Sequence, residues 1–329
     1  MNRRALLIAG AAGAALIAAG ARAQRTFRVG CLWANDPDSI RLLEAAFIAG
    51  LRDLGYVPGR NLVLEMRYAR GDNSRMPALA EELIGLKADV VIGIESAAVV
   101  VRGKSRSIPI VLIASPDPVR AGLVQSLARP GTNVTGMAYR LDELVAKNID
   151  LLTEIVPKMS RLGFVNYAAG AEDPGARSAA RADEVARAAA QAKGLSVSVV
   201  RVRDPDSVRA AFIELEAQRP QAIVVAATAA TYRLRELITR EALRLRWPSI
   251  TSLSSEWAEA GGLVTYGPDW QKTYRYAATF VDRILKGANP AEIPIEQPSF
   301  EVVVNLKTAR EIGVKIPQSI LLRADRVID

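Results

Sequence analysis

The chain has 329 residues, half of them hydrophobic, with one cysteine and no histidine. This length is enough for two ordinary domains with sizeable cores. The lack of histidine excludes Ser-His-Asp and Cys-His nucleophile systems, histidine general bases and histidine metal ligands. The net charge of +8 arises from 43 basic and 35 acidic residues. The two signs are interspersed along predicted helices, which is typical of a solvated helix face rather than a nucleic-acid patch.

The first 23 residues have the three parts of a secretory signal peptide. Arginines occupy positions 3–4, residues 5–19 are apolar, and residues 21–23 form an A-x-A cleavage site. The apolar run is shorter than the roughly 20 residues that a membrane helix needs, although an uncleaved anchoring helix is the alternative. We therefore expect cleavage near Ala23 and Gln24 and a periplasmic mature protein, exported by either the general or the twin-arginine route.

Strand and helix patterns alternate in the first half of the remaining chain. Residues 88–94 form a continuous apolar run, as expected for a parallel strand covered on both faces. Gly55 follows an amphipathic stretch and matches the residue that ends a helix. The predicted strands are 27–32, 62–68, 88–94, 110–114 and 134–138, and the predicted helices are 39–54, 74–86, 97–104 and a short one ending at 127.

The same alternation starts again after residue 140. The predicted helices are 143–156, 178–193, 207–218, 234–245, 273–286 and 306–312, and the predicted strands are 161–165, 196–201, 222–227, 249–252, 263–266 and 301–305. Two successive series of similar length predict an α/β fold with two doubly wound parallel-sheet lobes. We assign residues 24–138 plus about 264–297 to lobe 1, and 139–263 plus about 298–329 to lobe 2.

Two such sheets predict a ligand cleft. In open parallel sheets, ligands bind beyond the carboxyl ends of the strands, and two facing lobes favour a clamshell that closes by hinge motion. Residues in the loops that follow predicted strands, or near the predicted crossovers, are the candidate ligand-binding residues. They are Trp33, Glu95, Ser96, Ala97, Ser115, Asp117, Tyr139, Asn166, Tyr167, Thr228, Ser254, Glu256 and Tyr266.

Several candidates have a purely structural alternative. Trp33 offers a flat stacking face to a ligand or belongs to the core. Ser96 and Ala97 begin a predicted helix, whose free N–H groups favour a carboxylate, although Ser96 also suits an N-cap. Glu95 is placed for an ammonium group or is an exposed loop acid, and Asp117 alternatively builds a turn.

The same holds for the remaining loop positions. Tyr139 and Tyr266 lie near predicted crossovers, so they belong either to the ligand site or to the hinge. Ser254 alternatively caps the next helix. Thr231 and Tyr232 follow the same strand as Thr228 and are further candidates.

Seven sequence blocks resemble one known protein family. The most specific is SLARPGTNVTG at 126–136, and the others are GLRDLGY at 50–56 with GRN at 59–61, SIPIV at 107–111, DPVRAGLV at 117–124, EAGGLVTYGPD at 259–269, NLKTA at 305–309 and LLRAD at 321–325. Together they resemble ABC-transporter substrate-binding proteins of the family that includes tryptophan-binding members. The resemblance runs from about residue 26 to the end and implies a type I periplasmic-binding fold. It also implies delivery of a solute to an inner-membrane permease and its ATPase, with no bond chemistry and no cofactor.

The chain departs from this family in two ligand-facing loops, GIESA at 93–97 and NYAAG at 166–170. The ligand is therefore less defined than the fold, and an amino acid or aromatic carboxylate is preferred. The alternatives are a periplasmic sensor that hands its bound state to a receptor, and an exported hydrolase with a carboxylate pair in the cleft. We expect a monomer that binds neither metal nor nucleic acid.

Overall fold

Two β-sheets, each flanked by helices, build the protein. This computed structural model describes residues 25–170, 173, 176–253 and 255–329. The predicted signal peptide and Ser254 lie outside the described residues. Within the described part, no helix is both long and apolar enough to cross a membrane.

The first sheet is parallel and carries the first lobe. Its elements are β1 (Phe27–Trp33), α1 (Pro37–Asp53), β2 (Leu62–Tyr68), α2 (Met76–Gly85), β3 (Val90–Gly93), α3 (Glu95–Lys104), β4 (Ile110–Leu112) and β5 (Val134–Gly136). The strands are ordered β2-β1-β3-β4-β5. Strand β3 is buried along its whole length, which agrees with its uninterrupted apolar sequence. Cys31 in β1 is a fully buried core residue.

The second sheet has seven strands and carries the second lobe. Its elements are α4 (Leu141–Ile155), β6 (Arg161–Tyr167), α5 (Ala176–Ala192), β7 (Ser196–Val202), α6 (Pro205–Gln218), β8 (Ala222–Val225), α7 (Ala229–Arg233), α8 (Arg235–Arg244), β9 (Ser249–Thr251), α9 (Glu256–Glu259), β10 (Val264–Pro268), β11 (Phe300–Asn305), α11 (Leu306–Ile312), α12 (Gln318–Leu321) and β12 (Arg326–Ile328). The order is β12-β11-β10-β9-β8-β6-β7, and β11 runs antiparallel to β10.

The chain passes between the lobes at three adjacent places. They follow β5, β10 and the segment that ends at residue 299. The passages are held together by backbone hydrogen bonds: the Ala138 N–H donates to the Glu296 carbonyl at 2.9 Å, and the Asp269 N–H donates to the Ser299 carbonyl at 2.9 Å. Strand β10 lies in the second sheet, whereas we expected residues from 264 onward in lobe 1. It pairs with β9 and β11 before the chain returns to the first lobe.

The returning segment is helix α10 (Trp270–Leu285), which packs along α1 and closes the first lobe. The two helices approach closely at Gly50, where a Cβ atom would lie 2.3 Å from the Arg275 carbonyl oxygen. Between them, the Tyr56 hydroxyl donates to Asp282 at 3.0 Å. Helix α10 is thereby fixed to the first lobe while its first residues reach the space between the lobes.

One predicted helix is wrong. The segment expected to form a short helix ending at 127 consists of turns. Gly122 has φ of +70°, a left-handed conformation that an α-helix does not contain, and the Pro118 carbonyl instead accepts the N–H of Leu123 at 2.9 Å.

Candidate functional site

A cavity of about 190 Å³ lies between the two lobes. Residues that follow the carboxyl ends of β1, β3 and β4 line it from the first lobe, and residues that follow β6, β8 and β9 line it from the second. This is the position at which open parallel sheets bind ligands. The lining includes Asn35, Glu95, Ser96 and Pro116 of the first lobe, and Tyr167, Thr228, Ser252 and Leu253 of the second.

Glu95 is the charged group of this cavity. Its carboxylate accepts a hydrogen bond from the Ser115 hydroxyl, which in turn accepts the Asp117 backbone N–H at 3.2 Å. The Asp117 backbone N–H and the Ser178 side chain of the opposite lobe also favour the ionised form of Glu95. Burial raises the pKa of Glu95 above its ordinary value, and the hydrogen bonds oppose that shift only in part. The first lobe therefore presents a desolvated carboxyl group to the cavity.

The described lining residues contain Glu95 as their one aspartate or glutamate, and they include no lysine or arginine. Beside it, Ser96 is 7% exposed, and its buried hydroxyl has no hydrogen-bond partner among the described residues. No group of three or more His, Cys, Asp or Glu side chains in the described chain is arranged to hold a metal ion. The site is therefore electrostatically suited to a ligand with a positively charged group.

The part of the cavity inside the second lobe is mostly apolar. Its walls come from α4, α5, β6 and β8, and they include Leu144, Val145, Phe164, Ala182 and Val224. The polar side chain of Asn148 lies beside Leu144 and Val145 on α4, and Ser178 of α5 and Tyr167 of β6 also line the cavity. We call this part the apolar compartment. It fits an apolar group on the same ligand whose charged end lies near Glu95.

Aromatic rings form another wall of the cavity. Tyr139 and Trp270 meet edge to face with 6.4 Å between ring centroids, and the Trp270 Nε1–H donates to the Ser252 carbonyl at 3.1 Å. Burial, followed by the charge of Glu95, raises the pKa of Tyr139, so its phenol stays neutral. Tyr274 reaches the cavity one turn further along α10.

The rim of the cavity is bridged by contacts between the lobes. Asn73 Nδ2 donates to Asp173 Oδ1 at 2.9 Å. Arg233 of the second lobe donates from Nη1 to the Arg70 carbonyl of the first lobe at 3.0 Å, and from Nη2 to the Arg203 carbonyl of its own lobe at 2.7 Å. Its guanidinium lies against Gly71, where a Cβ atom would be 1.3 Å from Nη1. The lobes are thus in contact around the cavity.

Six of the predicted site residues line this cavity. They are Glu95, Ser96, Tyr139, Tyr167, Thr228 and the further candidate Tyr232. Two have further structural roles: the Tyr167 hydroxyl donates to Asp173, and the Thr228 side chain caps α7 by accepting the Thr231 N–H at 3.1 Å. Ser96 is not the N-cap of α3, because Ile94 occupies that position.

Four other predicted residues lie outside the lining. Trp33 is a core residue, 1% exposed, and packs against Phe47 and Tyr274 with ring centroids 6.5 and 5.7 Å away. Ala97 is buried in the hydrophobic core under α3. Asp117 is exposed and builds a turn by accepting the Arg120 N–H at 2.9 Å. Ser115 is fully buried and acts on the cavity only through Glu95.

The remaining predicted residues are placed elsewhere in the second lobe. Asn166 is buried in the lobe and donates to the Ala179 carbonyl at 2.8 Å and to Asp183 at 2.6 Å. Glu256 is buried at the start of α9, and Tyr266 packs against Phe300 with ring centroids 5.9 Å apart. None of these three is a lining residue in the described part of the cavity. Ser254 lies outside the described residues.

Sequence reasoning missed several lining residues: Asn35, Asn73, Asn148, Ser178, Trp270 and Tyr274. Asn35 lies just beyond β1, so the strand-end rule points to it as well as to Trp33. Asn148 lies inside a helix, and its only signal is a polar side chain between the apolar Val145 and Leu152 on the buried face of α4. Ser178 and the α10 residues reach the cavity through tertiary packing, which sequence periodicity does not describe.

The chain matches a known protein family and one curated relative. The family described as "ABC transporter substrate binding protein" matches residues 32–328. A tyrosine-binding protein of Clostridioides difficile (strain R20291) is 31% identical over 128 residues. That alignment covers 39% of this chain and 36% of the relative, so the chain matches just over a third of that protein's length.

Solved structures share the fold. A conserved domain protein from Vibrio cholerae superimposes with a TM-score of 0.82 at 24% identity, covering 92% of this chain and all of that one. An ABC domain from Streptococcus pneumoniae in complex with L-Trp gives a TM-score of 0.80 at 24% identity, with the same coverage. At this identity the similarity concerns the fold alone, which is that of type I periplasmic-binding proteins. Since the family match spans nearly the whole chain, the protein belongs to the ABC transporter substrate-binding proteins.

Proposed function

We propose that this protein binds a single amino acid with an aromatic side chain in the cavity between its lobes and delivers it to an ABC permease. The observation that carries the proposal is the pairing of Glu95 with an apolar compartment in one cavity. An ammonium group placed at the Glu95 carboxylate forms a charge-assisted hydrogen bond in a desolvated site. The ligand side chain then occupies the compartment around Phe164 and Leu144.

The charge of the lining distinguishes an amino acid from a simple aromatic acid. A carboxylate ligand without an ammonium group has no described basic lining residue to pair with and is repelled by Glu95. In an amino acid, the ammonium group compensates Glu95, and the carboxylate is left to neutral donors such as the Ser96 hydroxyl. The proposal therefore favours amino acids over the aromatic carboxylates also considered from the sequence.

The relatives support the same ligand class. The Streptococcus pneumoniae domain was solved with L-Trp, and the Clostridioides difficile protein is a tyrosine-binding protein. From these two names we extend only an aromatic amino acid ligand to this protein. Export and a monomeric carrier are proposed from the sequence, and a permease partner is proposed from the family. The proposed mechanism is binding and closure without bond chemistry or cofactor: the ligand touches both lobes and shifts the population toward the closed form.

A thermal-shift screen of the chain from residue 24 onward tests the proposal. At 100 times the dissociation constant, a ligand stabilises the protein by about 2.7 kcal/mol, which corresponds to a rise in Tm of a few degrees. We expect saturable shifts with aromatic amino acids, recovered unchanged, and none with their desamino acids, sugars or nucleosides. Shifts with sugars or nucleosides only, or consumption of the ligand, would contradict the proposal.

The proposed closure of the two lobes also predicts that Arg233 stabilises the closed form. Arg233→Met keeps the aliphatic stem but removes the hydrogen bonds to the Arg70 and Arg203 carbonyls. We expect the lobes to open and the dissociation constant to rise about tenfold, because the closed form loses a charged hydrogen bond between the lobes. X-ray scattering of the free protein and calorimetric titration measure the two effects.

Two further variants make this test specific. Gly71→Ala, at φ of +79°, places a Cβ on the Arg233 guanidinium and should reproduce the effect from the other lobe. Arg244→Met is the control, because Arg244 is exposed and, among the residues that the structure describes, pairs only with Glu241 and Glu216 of its own lobe. Equal scattering and affinity for Arg233→Met and Arg244→Met would show that the rim contact does not hold the lobes closed.

A further inference from the structure

The apolar compartment contains one buried amide whose hydrogen bonding is incomplete. Asn148 lies on α4 one turn after Leu144 and is 2% exposed. Its Nδ2 donates to the Ser252 hydroxyl at 2.7 Å. Its Oδ1 has no hydrogen-bond partner among the described residues, and the side chain lines the cavity. The compartment therefore contains an unused acceptor in apolar surroundings.

Such an acceptor disfavours an occupant that is apolar throughout. Buried polar atoms in native proteins are almost always hydrogen-bonded, and one left unpaired keeps the full desolvation penalty. The neighbouring wall residues Leu144, Val145 and Phe164 have no side-chain donor. A ligand that fills the compartment and excludes water must therefore either donate to Oδ1 or leave it unpaired.

We infer that Asn148 determines ligand specificity by accepting a hydrogen bond from the side chain of the bound amino acid. The inference rests on the proposed function and narrows it. The preferred ligands are aromatic amino acids with a donor on the ring, a phenol O–H or an indole N–H. A phenyl ring fills the same space but leaves Oδ1 unpaired, so the site discriminates by an unsatisfied group rather than by volume.

In the structure the amide of Asn148 turns its oxygen rather than its nitrogen toward the cavity. Because Nδ2 donates to the Ser252 hydroxyl, Oδ1 is the atom that remains for the ligand. A reversed amide would present N–H groups and would select an acceptor instead. An indole only donates, whereas a phenol donates and accepts. Comparing tryptophan with an analogue that lacks the indole N–H therefore distinguishes the two orientations of the amide.

The test measures dissociation constants by calorimetry for two pairs of ligands. One pair is tyrosine and phenylalanine; the other is tryptophan and its analogue with sulfur in place of the indole N–H. We expect the wild-type protein to bind the donor-bearing ligand of at least one pair about tenfold more tightly than the other ligand of that pair. If tryptophan binds, it should bind more tightly than its sulfur analogue. A tyrosine preference together with equal binding of the tryptophan pair would overturn the orientation of the amide.

A variant then assigns the preference to this residue. Asn148→Leu keeps the number and branching of the side-chain heavy atoms but removes the acceptor. It should bring the ratio within each pair close to one by weakening only the donor-bearing ligand. Val145→Ala, a wall residue in the same compartment, should weaken both members equally. A ratio that persists in Asn148→Leu, or a ratio of one in the wild type, overturns the inference. Failure of every amino acid to bind the wild type contradicts the proposed function instead.

Discussion

Replacing Glu95 by glutamine is expected to weaken amino-acid binding by about 100-fold or more. The substitution keeps the shape of the side chain but removes the charge that pairs with the ligand ammonium group. Removing one partner of a buried, hydrogen-bonded charge pair costs about 2–5 kcal/mol, because the other charge is left desolvated and unpaired. Calorimetric titration of Glu95→Gln with the aromatic amino acid that stabilises the wild type most measures the effect.

Asp117→Asn is the matched control for Glu95→Gln. Both residues follow strands of the first sheet and both were predicted from the sequence as ligand-binding. Asp117 is exposed and its carboxylate builds a turn, so Asp117→Asn should leave the dissociation constant almost unchanged. A loss of affinity in Asp117→Asn, or normal affinity in Glu95→Gln, would show that the ammonium site was wrongly assigned to Glu95.

The raised pKa of Glu95 predicts how binding depends on pH. The ammonium group binds the ionised carboxylate, so affinity should be highest above the pKa of the free protein. It should fall as the pH drops through that value, by tenfold per unit once the carboxyl is protonated. Because burial raises this pKa, the fall begins at a higher pH than for an exposed glutamate. Titrations over a pH series should give a flat profile for Glu95→Gln in the same range.

The raised pKa of Glu95 also affects the stability of the free protein, and this effect has the opposite dependence on pH from ligand affinity. A carboxyl group with a raised pKa in the folded state binds its proton more tightly there than in the unfolded chain. Its stabilising contribution is present below the unfolded pKa and is lost as the pH rises through the folded pKa. Glu95→Gln should therefore unfold at a higher temperature than the wild type at neutral pH, and this difference should disappear in acid.

Gly50→Ala is expected to destabilise the fold by about 3 kcal/mol. Its Cβ would lie 2.3 Å from the Arg275 carbonyl oxygen and 3.0 Å from the Ala278 Cβ, so α1 and α10 must separate. A backbone carbonyl in a helix cannot move aside alone, which places the cost at the upper end of overpacking effects. Denaturant unfolding measures the loss. Because α10 carries Trp270 and Tyr274 into the cavity, ligand affinity should fall as well.

Gly103→Ala, in the same lobe, is expected to change the free energy of unfolding in the opposite direction from Gly50→Ala. Gly103 lies in the last turn of α3, has no other atom within 4 Å of the added Cβ, and is not in a left-handed conformation. Alanine is favoured over glycine in a helix by about 1 kcal/mol, so this variant should be more stable than the wild type. Equal stability of the two alanine variants would show that the helix contact at residue 50 is not tight.

Periodicity and residue type predicted most of the fold. Continuous apolar runs located the buried strands, and a repeated strand–helix series predicted two parallel-sheet lobes. The errors lie where tertiary contacts decide. Strand β10 follows the β9 region directly in sequence, but only its pairing with an antiparallel β11 assigns it to the second sheet. The short helix expected to end at residue 127 does not form, because Gly122 has a left-handed backbone conformation, which composition does not reveal.

The residues that line the candidate cavity were predictable only as far as the strand-end rule extends. That rule located Glu95 and Thr228, but it also selected Trp33, whose side chain points into the core, and Asn166, which hydrogen bonds within its lobe. Strand ends have two faces, and a sequence does not say which face a side chain takes. Asn148 was missed because it lies within a helix, although a polar residue on an apolar helix face is itself a signal of a buried site.

A crystal structure of the protein with its aromatic amino acid would test the central claim most directly. We predict that the ligand lies in the cavity between the lobes, with its ammonium nitrogen within about 3 Å of a Glu95 carboxylate oxygen and its ring in the compartment lined by Leu144, Phe164 and Asn148. A ligand bound outside this cavity, or one whose carboxylate rather than its ammonium group faces Glu95, would contradict the account.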